Sequence, residues 1–449
     1  MANLLSLSRI AKKTGPEEKV KVDSKEKTKL DEPVLAHVEA PKISVQVVDQ
    51  RLRDALANAS ENSIVNLVNL FIEHAYHLQA SDIHFDPQSD GLRVRLRVDG
   101  VLQESHKIPK SLNNAFISRI KILSGLRTDE HQTAQDGRFR HMSETGSAID
   151  MRVSIVPTYH GENAVIRLLT DQHEQFNVHS LGLSPDNQEK ILRAIRKPYG
   201  MILATGPTGS GKTTTLYTIL KELNTADVSI VTIEDPVEYA IDGIEQIPVN
   251  DRTNLSFSAG LRSILRQDPN IIMVGEIRDT ETAGLAVNTA LTGHLLLSTL
   301  HTNDAATTLP RLLDLGVEPF LIASTVNVAI GQRLVRKICD DCVEDYKPSE
   351  AELKSIKHLM PEDLEKKRKF FRGTGCDSCN NTGFRGRVGI HEVMEIDKPI
   401  REAILAKKSS TTIKEIAIKN GMRTMVEDGL EKAAAGITTI EEVLRTQYD

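Results

Sequence analysis

The chain has 449 residues, enough for two or three domains that each bury a core. With 56 Lys and Arg against 62 Asp and Glu, a formal charge of −6 and an isoelectric point near 6.2, it is not built to coat nucleic acid; a local basic groove stays open. No apolar run approaches the ~18 residues that cross a bilayer, and Met1–Ile10 lacks a signal-peptide layout, so a cytosolic protein is expected.

Residues 1–46 read as a flexible charged arm. Residues 1–50 carry nine Lys/Arg and eight Asp/Glu, with Pro16, Pro33 and Pro41 and few side chains to bury. Leu4, Leu5, Leu7 and Ile10 offer one short amphipathic turn for docking; a frayed terminus is the plainer reading. A first α/β domain is expected over 47–169. Ile64, Leu67, Val68, Phe71, Ile72, Ala75 and Leu78 recur at helical spacing and predict a helix over Ser63–Leu78. Leu92, Val94, Leu96 and Val98 alternate with Arg93, Arg95 and Arg97 before Asp99-Gly100, a tight-hairpin signal. The arginine face of that strand is expected to be solvated. Ile149–Val156 and Ala164–Leu169 read as further strands, and 170–184 as a linker and hinge.

From Pro185 to the end, short apolar strands (Met201–Thr205, Val228–Ile233, Ile271–Val274, Leu295–Leu300) alternate with helices, the pattern of a mostly parallel sheet. The first of these strands runs into Gly206-Pro207-Thr208-Gly209-Ser210-Gly211-Lys212-Thr213, a complete G-x-x-x-x-G-K-[ST] phosphate loop, with Thr214 opening the helix behind it. Its glycines let successive amides face phosphates, Lys212 reaches the β and γ oxygens, and the Thr213 hydroxyl joins a Mg²⁺ shell, so ATP and Mg²⁺ are expected. Two strands end in acids. Glu276, after Ile271–Val274, is the choice for activating water, with Mg²⁺ ligation as the other role, provided its strand neighbours the loop strand. Glu234 and Glu238, rather than Asp235, are expected to hold Mg²⁺ through water and orient Glu276. His294 and His301 flank the strand Leu295–Leu300 and together suggest a γ-phosphate sensor.

Arg138, Arg140, Arg152 and Arg167 lie on strands of the first domain. The i, i+2 spacing of Arg138 and Arg140 points both to one face, where they either reach a nucleotide held by the other domain or a neighbouring subunit, or make a solvated strand face. Cys339, Cys342, Cys376 and Cys379 form two Cys-x-x-Cys knuckles, the donor set of a closed structural Zn²⁺ site within an element spanning about 337–392. A redox dithiol or unliganded thiols are the alternatives. The insert between the knuckles, with its charged stretch Glu362–Lys369, is expected to be helical. Small C-terminal helices are expected over about 393–449, starting at Thr411-Thr412-Ile413 and Thr438-Thr439-Ile440.

Taken together, Gln79-Ala80-Ser81-Asp82-Ile83-His84-Phe85-Asp86-Pro87, Asp136-Gly137-Arg138-Phe139, the phosphate loop, the acidic segment 232–239, the strand 271–276 and the segment 291–304 resemble the secretion ATPases of type II secretion and type IV pilus assembly, over about residues 50–449. The resemblance implies a PAS-like domain joined to a RecA-like P-loop ATPase domain. It implies a homo-hexameric ring that shares ATP between subunits, and it favours Arg138 and Arg152 as arginine fingers. It matches Glu276 to the catalytic glutamate and the four cysteines to the family's zinc motif, which favours assembly or export over retraction. Implied partners are an inner-membrane platform protein and cytoplasmic accessory proteins, with peripheral membrane association through them and no stable nucleic acid. The arm departs from the large docking domain of many members. A DNA-handling ring ATPase using the zinc element, and a nucleotide-binding module without turnover, are the competing functions.

Overall fold

The computed structural model describes residues 44–58, 63–169, 177–356, 359 and 369–447. Nearly all of the arm expected over 1–46, with Leu4, Leu5, Leu7 and Ile10, lies outside them, as do 170–176 and most of the charged stretch 362–369. Ser44 caps a helix Val45–Ala57, which buries Val48 and Leu52. The helix expected over Ser63–Leu78 runs Ile64–His77 and presents its apolar stripe to the core.

The first sheet has strands β1 (Ala80–Gln88), β2 (Gly91–Val98), β3 (Val101–Pro109), β4 (Gln135–Met142), β5 (Ala148–Thr158) and β6 (Gly161–Leu169), in the order β3-β2-β1-β6-β5-β4 with every pair antiparallel. The β2–β3 hairpin turns at Asp99 and Gly100, both with positive φ (50° and 85°), the backbone that the Asp-Gly pair predicts. One face of the sheet buries Ile83, Phe85, Val94, Met151, Val153 and Ile166 against the helices Ile64–His77 and Asn113–Leu123. Phe71 meets Phe85 and Phe116 edge-on, with ring centroids 5.7 Å apart in each pair; each contact contributes about 0.5–1.5 kcal/mol beyond its buried area.

The opposite face is charged. The arginines of β2 are not simply solvated: Arg95 donates to Asp86 at 2.6 Å, and Arg97 lies 3.6 Å from Asp82, which also accepts from Arg167 at 3.0 Å. Asp82 and Asp86 are buried, so the alternating arginines of β2 serve as counter-ions to β1 carboxylates.

The second sheet contains β7 (Gly200–Thr205), β8 (Ile230–Glu234), β9 (Glu245–Pro248), β10 (Ile271–Val274), β11 (Leu295–Leu300), β12 (Val326–Ile338) and β15 (Phe384–Glu395), in the order β15-β12-β7-β11-β10-β8-β9. All its pairs are parallel except β12 with β15. Every residue of β7, β8, β10 and β11 is buried because helices cover both faces. Met201 and Leu203 pack into one layer and Ile202 and Ala204 into the other.

Two expectations change. Residues 177–184 are not loose linker: Val178 and Leu181 are buried, Asn177 and Ser180 form a capping box, and Ser184 caps the helix Pro185–Ile195. The zinc element is narrower than 337–392, because β12 and β15 belong to the main sheet and the cysteines sit in the excursion between them. Within that excursion, β13 (Val343–Tyr346) and β14 (Phe370–Gly373) pair antiparallel beside a short helix Glu350–Ile356. C-terminal helices follow at Lys398–Leu405, Ser410–Lys419, Met425–Ala434 and Ile440–Arg445, the second capped by Ser409 and the last by Thr439. Among the described residues, no helix is long and apolar enough to cross a membrane.

Candidate nucleotide site

The phosphate loop leaves the carboxyl end of β7 and enters the helix Lys212–Leu223, the position where open α/β sheets bind ligands. Gly206 has φ +146°, and a Cβ there would stand 2.4 Å from the Gln332 carbonyl oxygen; Gly211 has φ +88°. Only glycine lets the loop pass this close to β12. The Gln332 side chain then donates to the Ser210 carbonyl at 2.7 Å and pins the loop from the neighbouring strand. The Lys212 ammonium lies 2.8 Å from the Gly206 carbonyl and 3.0 Å from that of Pro207, and burial lowers its pKa against the opposing pull of Glu276. The buried Ser210 hydroxyl has no hydrogen-bond partner among the described residues, a further polar group inside the loop.

Glu276 reaches the same cleft by a route the sequence did not suggest. Its strand, β10, is not the neighbour of β7; β11 lies between them. Glu276 comes two residues after β10 ends, on a backbone held by Gly275 N–H to the Ile233 carbonyl (2.8 Å) and by the Thr299 hydroxyl to the Gly275 carbonyl (2.8 Å). One carboxylate oxygen is 3.0 Å from His301 Nε2 and the other accepts from Arg278. Burial works to raise the Glu276 pKa, but Arg278 and His301 outweigh it and hold the carboxyl below its ordinary range.

The two expected histidines part company. His301 follows the carboxyl end of β11, beside Glu276. His294 precedes the amino end of that strand and faces the Thr289 carbonyl at 3.2 Å. Six residues of strand, about 20 Å at the usual rise, separate the two ends. His294 therefore cannot share the γ-phosphate of its own chain's loop with His301.

Glu234 is buried, and its carboxylate takes hydrogen bonds from Thr232 (2.6 Å), Gln246 (3.1 Å) and Tyr217. Burial raises its pKa against those three donors. The Tyr217 hydroxyl, on the helix behind the phosphate loop, also accepts from the Glu238 amide at 3.3 Å. Glu234 thus shapes the turn through the cis Asp235–Pro236 bond, and Asp235 and Glu238 are the acids of this segment that reach solvent.

Across the cleft, Arg138, Arg152, Arg167, Asp82 and Arg97 stand in one cross-strand row over β4, β5, β6, β1 and β2. The cleft between this row and the phosphate loop has a volume of about 1820 Å³ and is lined by both. Arg152 bridges it, donating to the Val237 carbonyl at 3.0 Å and lying 3.5 Å from Glu238. Arg140, on the same face, is held in a two-pronged pair with Asp150. Among the described residues, the Arg138 side chain has no hydrogen bond or ion pair. Gln332, Tyr217 and Arg278 were not anticipated; each matters through a partner distant in sequence or through a turn whose path only the fold defines.

The groups present fit a magnesium nucleotide: glycines shaped to let amides turn inward, a lysine at the loop, Thr213 opening the helix, and carboxylates opposite. The four cysteines fit zinc. Their sulfurs are free, lie 3.7–3.8 Å apart in three pairs, and are all within 4.8 Å of one another. A tetrahedron with Zn–S bonds of about 2.3 Å has edges of about 3.8 Å.

A family model described as type II/IV secretion system protein matches residues 57–445. The chain is 48% identical over 402 residues to type II secretion system protein E of Xanthomonas campestris pv. campestris, covering 89% of this chain and 70% of that one. It is 45% identical over 420 residues to type IV pilus assembly ATPase PilB of Thermus thermophilus, covering 93% of this chain and 47% of the relative. Among solved structures, the Legionella pneumophila ATPase DotB shares the fold at a TM-score of 0.63 and 23% identity, covering 85% of this chain and 95% of that chain. The pilus retraction motor PilT with bound ADP superposes at 0.58 with 25% identity, covering 85% and 97%. The chain therefore belongs to the type II/IV secretion system protein family and is an ATP hydrolase of that family.

Proposed function

We propose that the chain is the ATPase motor of a type IV pilus or type II secretion pseudopilus, working as a homo-hexameric ring in the cytoplasm against an inner-membrane platform protein. The N-terminal sheet and the P-loop domain act as two domains that move relative to one another while ATP turns over between them. The observation that carries this reading is the register of Arg138, Arg152 and Arg167. Like charges placed directly opposite destabilise a sheet, so three adjacent arginines facing a phosphate loop make sense as a binding surface for anionic phosphates.

In this reading Lys212 and the loop amides hold the phosphates, Glu276 takes the proton of the attacking water, and His301 and Arg278 orient that carboxylate. Thr213 is the hydroxyl that would hold Mg²⁺, and that ion would supply positive charge to the phosphates. Arg138 and Arg152 supply positive charge to the transferring group, and Glu238 holds Arg152 until the phosphates replace it. Glu234 positions the turn rather than taking part in proton transfer. The arginine row faces the phosphate loop, which gives the DNA-handling alternative no support.

Arg138→Ala should lower turnover about 10³-fold, the lower range for an arginine finger, with ATP binding changed less than about threefold. Mixing this variant with Lys212→Ala should restore activity if the arginine serves a neighbouring subunit's loop. Turnover above a tenth of wild type in Arg138→Ala, Arg152→Ala and their double variant would refute the assignment.

A further inference from the structure

A second cluster of potential ligands lies in the N-terminal part of the molecule, away from the nucleotide cleft. Asp49 projects from the helix Val45–Ala57, His74 from the helix Ile64–His77 and His106 from β3. Both imidazole Nε2 atoms converge on one atom, Asp49 Oδ1, at 3.6 Å for His74 and 3.2 Å for His106. Neither approach makes a hydrogen bond. The side chains of His74 and His106 are only 6% and 9% exposed, and His106 Nε2 is a buried nitrogen without a hydrogen-bond partner among the described residues. A buried imidazole nitrogen aimed at a carboxylate without bonding to it is a costly arrangement unless something sits between them.

We propose that Asp49, His74 and His106 form a second metal site, for a divalent transition ion of the zinc class. With metal–nitrogen and metal–oxygen bonds of about 2.0–2.2 Å, a tetrahedral site sets nitrogen and oxygen about 3.4 Å apart, and the two separations here bracket that figure. All three ligand atoms lie within 4.8 Å of one another. Two imidazoles disfavour Mg²⁺ and Ca²⁺, which prefer oxygen. The outer groups also fit. His106 Nδ1 is 2.8 Å from the Ser105 hydroxyl, a partner able to accept the ring proton there when Nε2 binds an ion. Arg53 donates to the other Asp49 oxygen at 2.8 Å and leaves Oδ1 for the ion. Three protein ligands leave a fourth position for water. The site clasps the helix Val45–Ala57, which has only Val48 and Leu52 among its buried residues, to the first sheet.

The test is zinc titration of the untagged full-length chain, with bound metal counted by mass spectrometry. Wild type should bind two equivalents per chain, and Asp49→Asn and His106→Ala should each bind one. Arg53→Ala should keep the second equivalent at about 10–100-fold weaker affinity. X-ray absorption on the wild type reads the site without any variant: the second equivalent should add a nitrogen and oxygen shell near 2.0–2.2 Å to the sulfur shell near 2.3 Å, as order-of-magnitude bond lengths. One equivalent with a sulfur shell alone would overturn the proposal, and so would a second equivalent that survives both ligand variants.

Discussion

Replacing Glu276 with Gln separates binding from chemistry at the nucleotide site. The carboxylate accepts from Arg278 on one oxygen and sits 3.0 Å from His301 on the other. Glutamine keeps one acceptor, for Arg278, and turns an NH₂ toward His301, whose ring accepts it by changing tautomer. The local structure therefore survives, while the charge and the proton acceptor are lost. Loss of a positioned base costs about 10²–10⁴ in rate, about 2.7–5.5 kcal/mol of barrier. Single-turnover phosphate release and equilibrium binding of labelled ATP measure the two parts. The expected outcome is turnover lowered by at least about 10²-fold with affinity changed less than about threefold. Since Arg278 and His301 hold the carboxyl below its ordinary range, the acid limb that Glu276 imposes on wild-type turnover should fall below about pH 4.3. Turnover above a tenth of wild type with normal binding would refute the assignment of the base, and an equal loss of binding would make Glu276 a metal ligand instead.

Two further variants probe the supports of the site. Gln332→Ala removes the 2.7 Å bond to the Ser210 carbonyl and leaves a buried acceptor, at about 1–3 kcal/mol. It should raise KM for ATP roughly tenfold with a smaller change in kcat, and an unchanged KM would show that the loop holds its shape without β12. Glu442 is buried on the C-terminal helix, where it accepts from the Arg336 side chain (2.7 Å), the Arg336 amide (3.0 Å) and Arg445 (3.1 Å). Burial works to raise its pKa, but these donors outweigh it and depress the folded value below the unfolded one. The pair's stabilisation is thus fully present above the unfolded value of about 4.3 and is lost as pH falls through the folded value. Glu442→Gln should cost about 2 kcal/mol in urea melts at pH 7, discounted because Arg336 is partly exposed, and the gap to wild type should narrow progressively as pH falls below about 4.3. A gap that stays constant across that fall would refute the ion-pair account.

What the sequence made legible was whatever one segment encodes alone. The phosphate loop, the four apolar strands found as β7, β8, β10 and β11, and the hairpin at Asp99-Gly100 each carry their signal within about ten residues. What was not legible depends on neighbours across the sheet. β12 supplies the Gln332 clamp, but its pairing with β15 spans residues 326–395, and no local pattern reports it. The insertion of β11 between β7 and β10 is likewise a fact of strand order. It decides why His301 stands beside Glu276 while His294, equally suggestive in sequence, is a strand length away.

The charged face of the first sheet shows how such cross-strand facts become function. In sequence, Arg93, Arg95 and Arg97 and the quartet Arg138, Arg140, Arg152 and Arg167 look alike, alternating arginines on strands. Register separates them. Arg95 and Arg97 lie beside the buried carboxylates of β1, and Arg140 faces Asp150, so their charges are matched within the sheet. Arg138 faces Arg152, which faces Arg167, and Asp82 lies at only one end of that run. At the other end Arg138 makes no ion pair among the described residues and lines the cleft with the phosphate loop. Its repulsion with Arg152, which Glu238 offsets only in part from 3.5 Å, costs stability at β4 and β5. Replacing Arg138 with a neutral residue should therefore leave thermal stability unchanged or raise it while turnover collapses, the opposite signs expected of a functional charge and not of a structural one.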